Sequence, residues 1–319
     1  MPKLKLYKVV LLLFVGSVFS SSQIRAQQIP LKSLYLYNRL SYNPAEAGTR
    51  SYIPVYLSAR KQWIGVEHAP VTQDVSLHTP LGTKFGLGLN FYNEVTGASD
   101  RTGGSLAFSY RIKTTAKTNL AFGLSAVFTQ FSFDKNQIVT QNPNDVVINN
   151  NTLSYFIPDA GFGLNYYGDN FRIGLSAVNL IQTKKDLSTV AVSNILNRVY
   201  YLDANAKLKM SNKLDLIPSL WARYMVQAPF VVEGNLRLMY NSMLWLGVGY
   251  RTQDAVVLEL GLEFKKFVVG YAYDYTLSDI NTVSNGTHEL IIGYQIGIDT
   301  SPRTSSWKTR NRIYTNSRK

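Results

Sequence analysis

Residues 254–264 read D-A-V-V-L-E-L-G-L-E-F. Val256, Leu258, Leu260, Leu262 and Phe264 share one parity, and Glu259, Gly261 and Glu263 share the other. Successive side chains of a strand point to opposite faces, so this stretch has one wholly apolar face and one that carries two carboxylates. The same dyad recurs in Phe85, Leu87, Leu89 and Phe91; in Leu106, Phe108, Tyr110 and Ile112; in Leu120, Phe122, Leu124, Ala126 and Phe128; and in Leu290, Ile292, Tyr294 and Ile296. Their intervening faces hold Gly86, Gly88, Asn90, Ser109, Arg111 and Lys113. Segments about ten residues long that alternate in this way between turn formers are the sequence signature of a transmembrane β-barrel. Hydrocarbon tolerates no open sheet edge, and a lipid-facing charge at mid-depth costs about 2–4 kcal/mol. The polar parity therefore faces a lumen. A soluble sandwich also alternates, but small polar residues and Gly opposite each apolar stripe, with 21 Tyr in 319 residues, suit a crowded barrel interior better.

Read outward from that stretch, the pattern predicts an all-β, antiparallel barrel of about fourteen strands. They lie at about 51–61, 71–79, 83–92, 104–113, 118–131, 156–166, 170–178, 199–209, 213–224, 229–240, 243–251, 254–264, 267–276 and 286–297. An even count returns both ends of the barrel to one side, expected to be periplasmic. Short turns are expected there, at T-P-L-G-T (79–83), Y-G-D-N (167–170), M-S-N-K (210–213) and Y-N-S-M (240–243). Longer outer connections are expected at 93–103, 134–154, 181–197 and 277–285, with short outer links near Val226 and Thr252.

Four regions follow: a secretory leader over 1–26, a plug-like or periplasmic segment over 27–50, the barrel over 51–300 and a basic tail over 301–319. Lys3, Lys5 and Lys8 precede an apolar run from Val9 to Phe19, too short to span a bilayer as a helix, with cleavage expected after Ala26. Leu36, Tyr37 and Leu40 are expected to share one face of a brief helix before N-P-A (43–45). The formal charge of +13 includes four cations in the leader and six in the tail, Arg303, Lys308, Arg310, Arg312, Arg318 and Lys319, which leaves +3 for residues 27–300. The basicity therefore argues for an acidic partner at the tail and against a nucleic-acid surface on the fold. Absence of Cys excludes disulfides and a thiol-linked lipid anchor.

Several blocks resemble the PorP/SprF family, outer-membrane proteins of the type IX secretion and gliding-motility apparatus of Bacteroidetes. Y-N-P-A-E-A-G (42–48) supplies Asn43, Pro44, Ala45 and Gly48. R-K-Q-W-I-G (60–65) supplies Arg60, Gln62, Trp63 and Gly65, and A-P-V-T-Q-D-V-S-L-H-T-P-L-G (69–82) supplies Pro70, Thr72 and His78. Y-A-Y-D-Y-T (271–276) and G-T-H-E-L-I-I-G-Y (286–294), with His288 and Glu289, are similar to the closing hairpin, with Thr287 where Ser is usual. The resemblance spans about 28–297 and implies a lipid-embedded barrel that works with periplasmic secretion-ring components, or exports or holds surface adhesins with C-terminal sorting domains. It implies no catalysis.

The histidines, His68, His78 and His288, have no metal-ligand spacing, and hydrogen-bonded structural roles are expected. Ser76 and His78 share a face of strand two, a weak hint of a hydrolase. Gly161 with Gly163, and Gly247 with Gly249, lack the helix and acid of a nucleotide site and read as small lumen-side residues. No catalytic residue, metal or cofactor is expected. The most suggestive constellation is inward charge on neighbouring strands: Arg223, Glu233, Arg237, Arg251, Glu259, Glu263, Asp274 and Glu289. Its mixed signs suit an internal brace better than a selectivity ring. A scaffold of secretion is thus the leading expectation, and a passive porin the alternative.

Overall fold

The computed structural model describes residues 31–134, 153–182, 184–186, 193–226 and 228–297. Fourteen antiparallel strands form the wall: β1 (Ile53–Lys61), β2 (Val71–Leu81), β3 (Phe85–Thr96), β4 (Ser99–Lys113), β5 (Thr118–Phe133), β6 (Leu153–Gly168), β7 (Phe171–Val178), β8 (Val199–Ala206), β9 (Leu214–Met225), β10 (Val231–Tyr240), β11 (Leu244–Arg251), β12 (Ala255–Phe264), β13 (Phe267–Thr276) and β14 (Thr287–Ile296). Each pairs with its sequence neighbours, and β1 pairs with β14 from Ile53↔Ile296 to Lys61↔His288. β8 meets β9 from Val199↔Met225 to Asn205↔Ser219, so the sheet has no free edge. A short continuation of β8, Leu208–Lys209, and a small hairpin, Lys184–Asp186 with Ser193–Ile195, complete the sheet structure.

Burial is inverted relative to a soluble protein, as the sequence parity predicts. Leu124 is 63% exposed and Leu246 66%, whereas Arg251 and Glu233 are at 0%. All five apolar stripes named above point outward, toward lipid.

Six short links, at 82–84, 114–117, 169–170, 210–213, 241–243 and 265–266, lie at one end, where Ile53 and Ile296 also lie. At the other end the expected loop 93–103 is instead a hairpin: β3 and β4 pair as far as Thr96↔Ser99 and turn at Gly97. Apolar alternation stops near Phe91 because the strands leave hydrocarbon there. The backbone ladder continues regardless, past Glu94 and Arg101, which sit opposite each other. β5 and β6 likewise pair out to Phe133↔Leu153.

Residues 31–52 run through the lumen. Leu31 packs with Val199, Met225 and Val231, all at the long-link end, while Gly48 and Glu46 contact Arg111 and Arg172 at the short-link end. The first and last described residues, Leu31 and Gly297, thus sit at opposite ends of the barrel. The brief helix expected from Leu36, Tyr37 and Leu40 does not form. Two 3-10 turns, Arg39–Ser41 and Pro44–Glu46, stand there, and the three side chains enter three separate clusters. The barrel wall takes over the hydrogen bonds that a helix would make internally: Ser33 and Leu34 donate their amides to Glu289 at 2.7 and 3.2 Å.

Candidate functional site in the lumen

The charged constellation assembles around Ser33. Arg60 contacts Asp274 at 2.8 Å and Glu289 at 3.0 Å, and Arg251 contacts Glu233 at 2.7 Å, Asp254 at 2.9 Å and Asp274 at 3.0 Å. Both guanidiniums donate to Ser33 Oγ at 2.9 Å, and that hydroxyl donates to Asp274 at 2.7 Å. Arg60↔Glu289 and Glu233↔Arg251 are direct cross-strand pairs, so their placement follows from strand register alone.

A second pair, Arg237 with Glu259 at 2.6 Å, spans from β10 to β12 over Gly247 of β11. A Cβ on Gly247 would meet the Glu259 carboxylate. Asn235 also donates to Glu259, at 2.9 Å. The Arg237 guanidinium lies 4.0 Å from the Trp245 ring and 5.1 Å from that of Tyr37. Tyr37 in turn donates to Glu263 at 2.8 Å. Arg223 is buried on β9 opposite Tyr201. These inward charges of β9–β14 and β1 thus grip the lumen segment at Ser33, Leu34 and Tyr37.

The blocks that carry the family resemblance converge although they are far apart in sequence. Asn43 caps the Pro44–Glu46 turn by accepting from the Ala45 amide at 3.0 Å, and its Nδ2 donates to Leu164 O at 3.1 Å. Ala45 and Ala47 are fully buried against β3–β6, where Gly86, Gly123 and Gly163 leave room for the incoming backbone. Gly48, at φ +67°, donates its amide to His78 Nδ1 at 3.1 Å. His78 is thus hydrogen-bonded to the lumen segment. At the long-link end Gln62 N donates to Pro70 O at 2.9 Å, Trp63 N to the Thr287 hydroxyl at 3.1 Å and Ile64 N to Gly286 O at 2.8 Å. Gly65 packs by Asn285, and Thr72 is buried opposite Arg60. His288 faces outward, with Tyr271 Oη 2.5 Å from its Nδ1 and the Tyr273 ring 5.1 Å away. The blocks around Arg60 and Glu289 close the β1–β14 seam and hold the lumen segment at Ser33 and Leu34, while Asn43–Gly48 is held against β2–β6.

Sequence reading missed the partners that the lumen segment brings. Asp74 receives Lys32 at 2.6 Å, Asn38 at 2.5 Å and the Ser58 hydroxyl. Arg39 reaches Asn205 at 2.7 Å and Asp203 at 3.4 Å. Glu46 is gripped by Arg172 and Asn165. Burial alone would raise the Glu46 carboxyl, but Arg172, Arg50 and Arg39 outweigh it and hold it down at about 2. The signal available was the parity of Asp74, Asn165, Arg172 and Asp203, all on inward faces. Among the described residues no cluster of His, Cys, Asp and Glu is suited to hold a metal. The basic tail residues Arg303, Lys308, Arg310, Arg312, Arg318 and Lys319, and the leader, lie outside the described residues.

Fold and lumen together define a plugged membrane β-barrel of the outer-membrane kind. The family described as type IX secretion system membrane protein PorP/SprF matches residues 24–294, and the chain belongs to it. A comparison with curated proteins finds no match. Among solved structures, the toluene transporter TbuX of Ralstonia pickettii is similar at TM-score 0.51 and 11% identity, covering 82% of this chain and 93% of that one. CymD, a monoaromatic hydrocarbon channel, and a FadL homologue of Pseudomonas aeruginosa give 0.47 and 0.46 at 14% and 10% identity. They cover 82% and 85% of this chain and 93% and 95% of their own. The likeness to TbuX is one of fold alone.

Proposed function

We propose that this protein is a plugged scaffold of type IX secretion rather than a channel. The short-link end faces the periplasm and docks secretion-ring components, aided by the basic tail. The long-link end faces outward and holds surface adhesin cargo. The observation that carries this reading is the lumen segment, pinned at Ser33 by Arg60, Arg251, Asp274 and Glu289 and at Glu46 by Arg172 and Asn165. A wall that spends its buried charges on an internal segment is built for rigidity, not for solute passage. Short periplasmic turns and longer outer loops are the usual polarity of bacterial barrels. No catalytic role is part of this proposal.

Crosslinking in intact outer membranes, followed by purification and mass identification, tests the docking role. Periplasmic secretion proteins are expected with the full chain and in reduced yield after deletion of 301–319, with the heat-modifiable barrel intact. Equal recovery from the deletion variant would remove the tail from the account. Recovery of no secretion protein from the full chain would overturn the scaffold reading.

A further inference from the structure

The exposed charge of the described residues is divided unevenly between the two ends of the barrel. Lys84, Lys113, Lys117, Lys209, Lys213, Lys265 and Lys266 are exposed at the short-link end, against Lys61 alone at the other. Both exposed carboxylates, Glu67 and Asp279, stand at the long-link end. The carboxylates of the short-link end are withdrawn from solvent. Asp215 is buried against Lys207 at 3.4 Å, Glu263 accepts from Tyr37 at 2.8 Å, and Asp169 is half-buried.

The seven lysines form four groups, at the β2–β3, β4–β5, β8–β9 and β12–β13 links. Around a closed wall of fourteen strands, successive groups are two, four, four and four strands apart, so the cations encircle the barrel. Beside them, aromatic rings face outward in close pairs: Phe85 with Tyr110 at 5.3 Å, Tyr166 with Phe171 at 5.3 Å and Phe267 with Tyr294 at 4.9 Å. Such a girdle marks the boundary between hydrocarbon and headgroups. Lys84 adjoins Phe85 in the chain, Lys266 adjoins Phe267, and Lys265 Nζ lies 5.2 Å from the ring of outward-facing Phe264. The cations therefore stand at the depth of lipid phosphates.

We propose that this ring binds the phosphates of anionic phospholipids, of which phosphatidylglycerol is the type. A protein docked on this end would be met by charge on one sector; a ring on all sides matches lipid, which surrounds the barrel on all sides. The net charge of the headgroup follows from the missing carboxylates. A phosphatidylethanolamine headgroup brings an ammonium that finds no exposed carboxylate among the described residues here, whereas phosphatidylglycerol brings no cation. One lysine beside an anionic headgroup is worth about fivefold in affinity, less at high salt. That the leaflet concerned is the periplasmic one rests on the orientation proposed above.

Native mass spectrometry of the full-length, detergent-purified protein, mixed with equimolar phosphatidylglycerol and phosphatidylethanolamine, tests this. Phosphatidylglycerol adducts should exceed the others about fivefold, and the excess should shrink as salt rises. Lys61→Gln should leave it unchanged. Because the tail is also basic, the comparison is repeated on the chain lacking 301–319. The excess should persist there and disappear when Lys84→Gln, Lys117→Gln, Lys213→Gln, Lys265→Gln and Lys266→Gln are combined. Should that combination lose heat-modifiable mobility, Lys265→Gln with Lys266→Gln alone should roughly halve the excess. Equal binding of the two lipids, an excess that survives the lysine replacements, or one that vanishes with the tail overturns the proposal. Equal lipid binding with loss of crosslinked secretion proteins from the lysine variant would instead make the ring a dock for an acidic protein, which also overturns it. The scaffold role is scored by crosslinking and this one by lipid adducts, so failure of either is distinct from failure of the other.

Discussion

The two halves of the lumen wall hold the same segment by opposite means. On the side of β9–β14 and β1 the wall presents long charged side chains, and Arg60, Arg237 and Arg251 each bind carboxylates one or two strands away. On the side of β3–β6, Gly86, Gly123 and Gly163 let the backbone of Asn43–Ala47 lie directly against the wall, and Ser109, Arg111 and Asn165 bond the segment from beside those glycines. One side fixes the segment by a network of ion pairs, the other by close backbone approach over glycines together with a few directed hydrogen bonds. The charged half tolerates small shifts because guanidiniums can choose among several carboxylate oxygens, whereas the glycine half admits one backbone position.

That contrast is broken most severely at Arg251. Its replacement by Ala leaves Glu233 and Asp274 buried without this shared cation, and removing one partner of a buried pair costs about 3–5 kcal/mol. The temperature at which the folded band is lost in a heat-modifiability assay should fall sharply. On the glycine half, Gly123→Val drives a side chain into Pro44 and Ala45 and should cost about 1–3 kcal/mol. Gly234→Val is the matching control: nothing lies within 4 Å of a Cβ there, so the same assay should show almost no change.

Glu46 couples the hold on the lumen segment to pH. Its carboxyl is lowered from an ordinary 4.5 to about 2 in the folded chain, so its contribution is complete above about 4.5 and is lost as pH falls toward 2. Glu46→Gln should flatten the pH dependence of thermal unfolding in that window without reversing its sign. The smallest effect is expected at Lys32, which is partly exposed at 17% and whose partner Asp74 keeps Asn38 and Ser58. Lys32→Met should cost under about 1 kcal/mol.

All fourteen strands were legible in the sequence because lipid imposes a strict parity on whatever crosses it. Where the chain leaves lipid that constraint lapses, and the extension of β3 and β4 past Phe91 could not be read. The strand-borne charges of the brace were legible for the same reason, since a Glu or Arg on the inward parity has to be paired. Their common target was not. Ser33 is a small polar residue in a segment without periodicity, and only the closed barrel brings it beside Arg60 and Arg251, 27 and 218 positions away. Leu36, Tyr37 and Leu40 have helical spacing without a helix for a related reason: the barrel wall fixes an irregular chain there, and the three side chains enter separate clusters.

The central claim is that the lumen is filled by a segment held from both sides. Single-barrel conductance of the purified full-length protein in planar bilayers tests it most directly. The filled lumen predicts no steady open state in the native chain, and open events in Arg251→Ala, where the ionic half of the grip is cut. A large, steady, ohmic conductance from the native protein would contradict it.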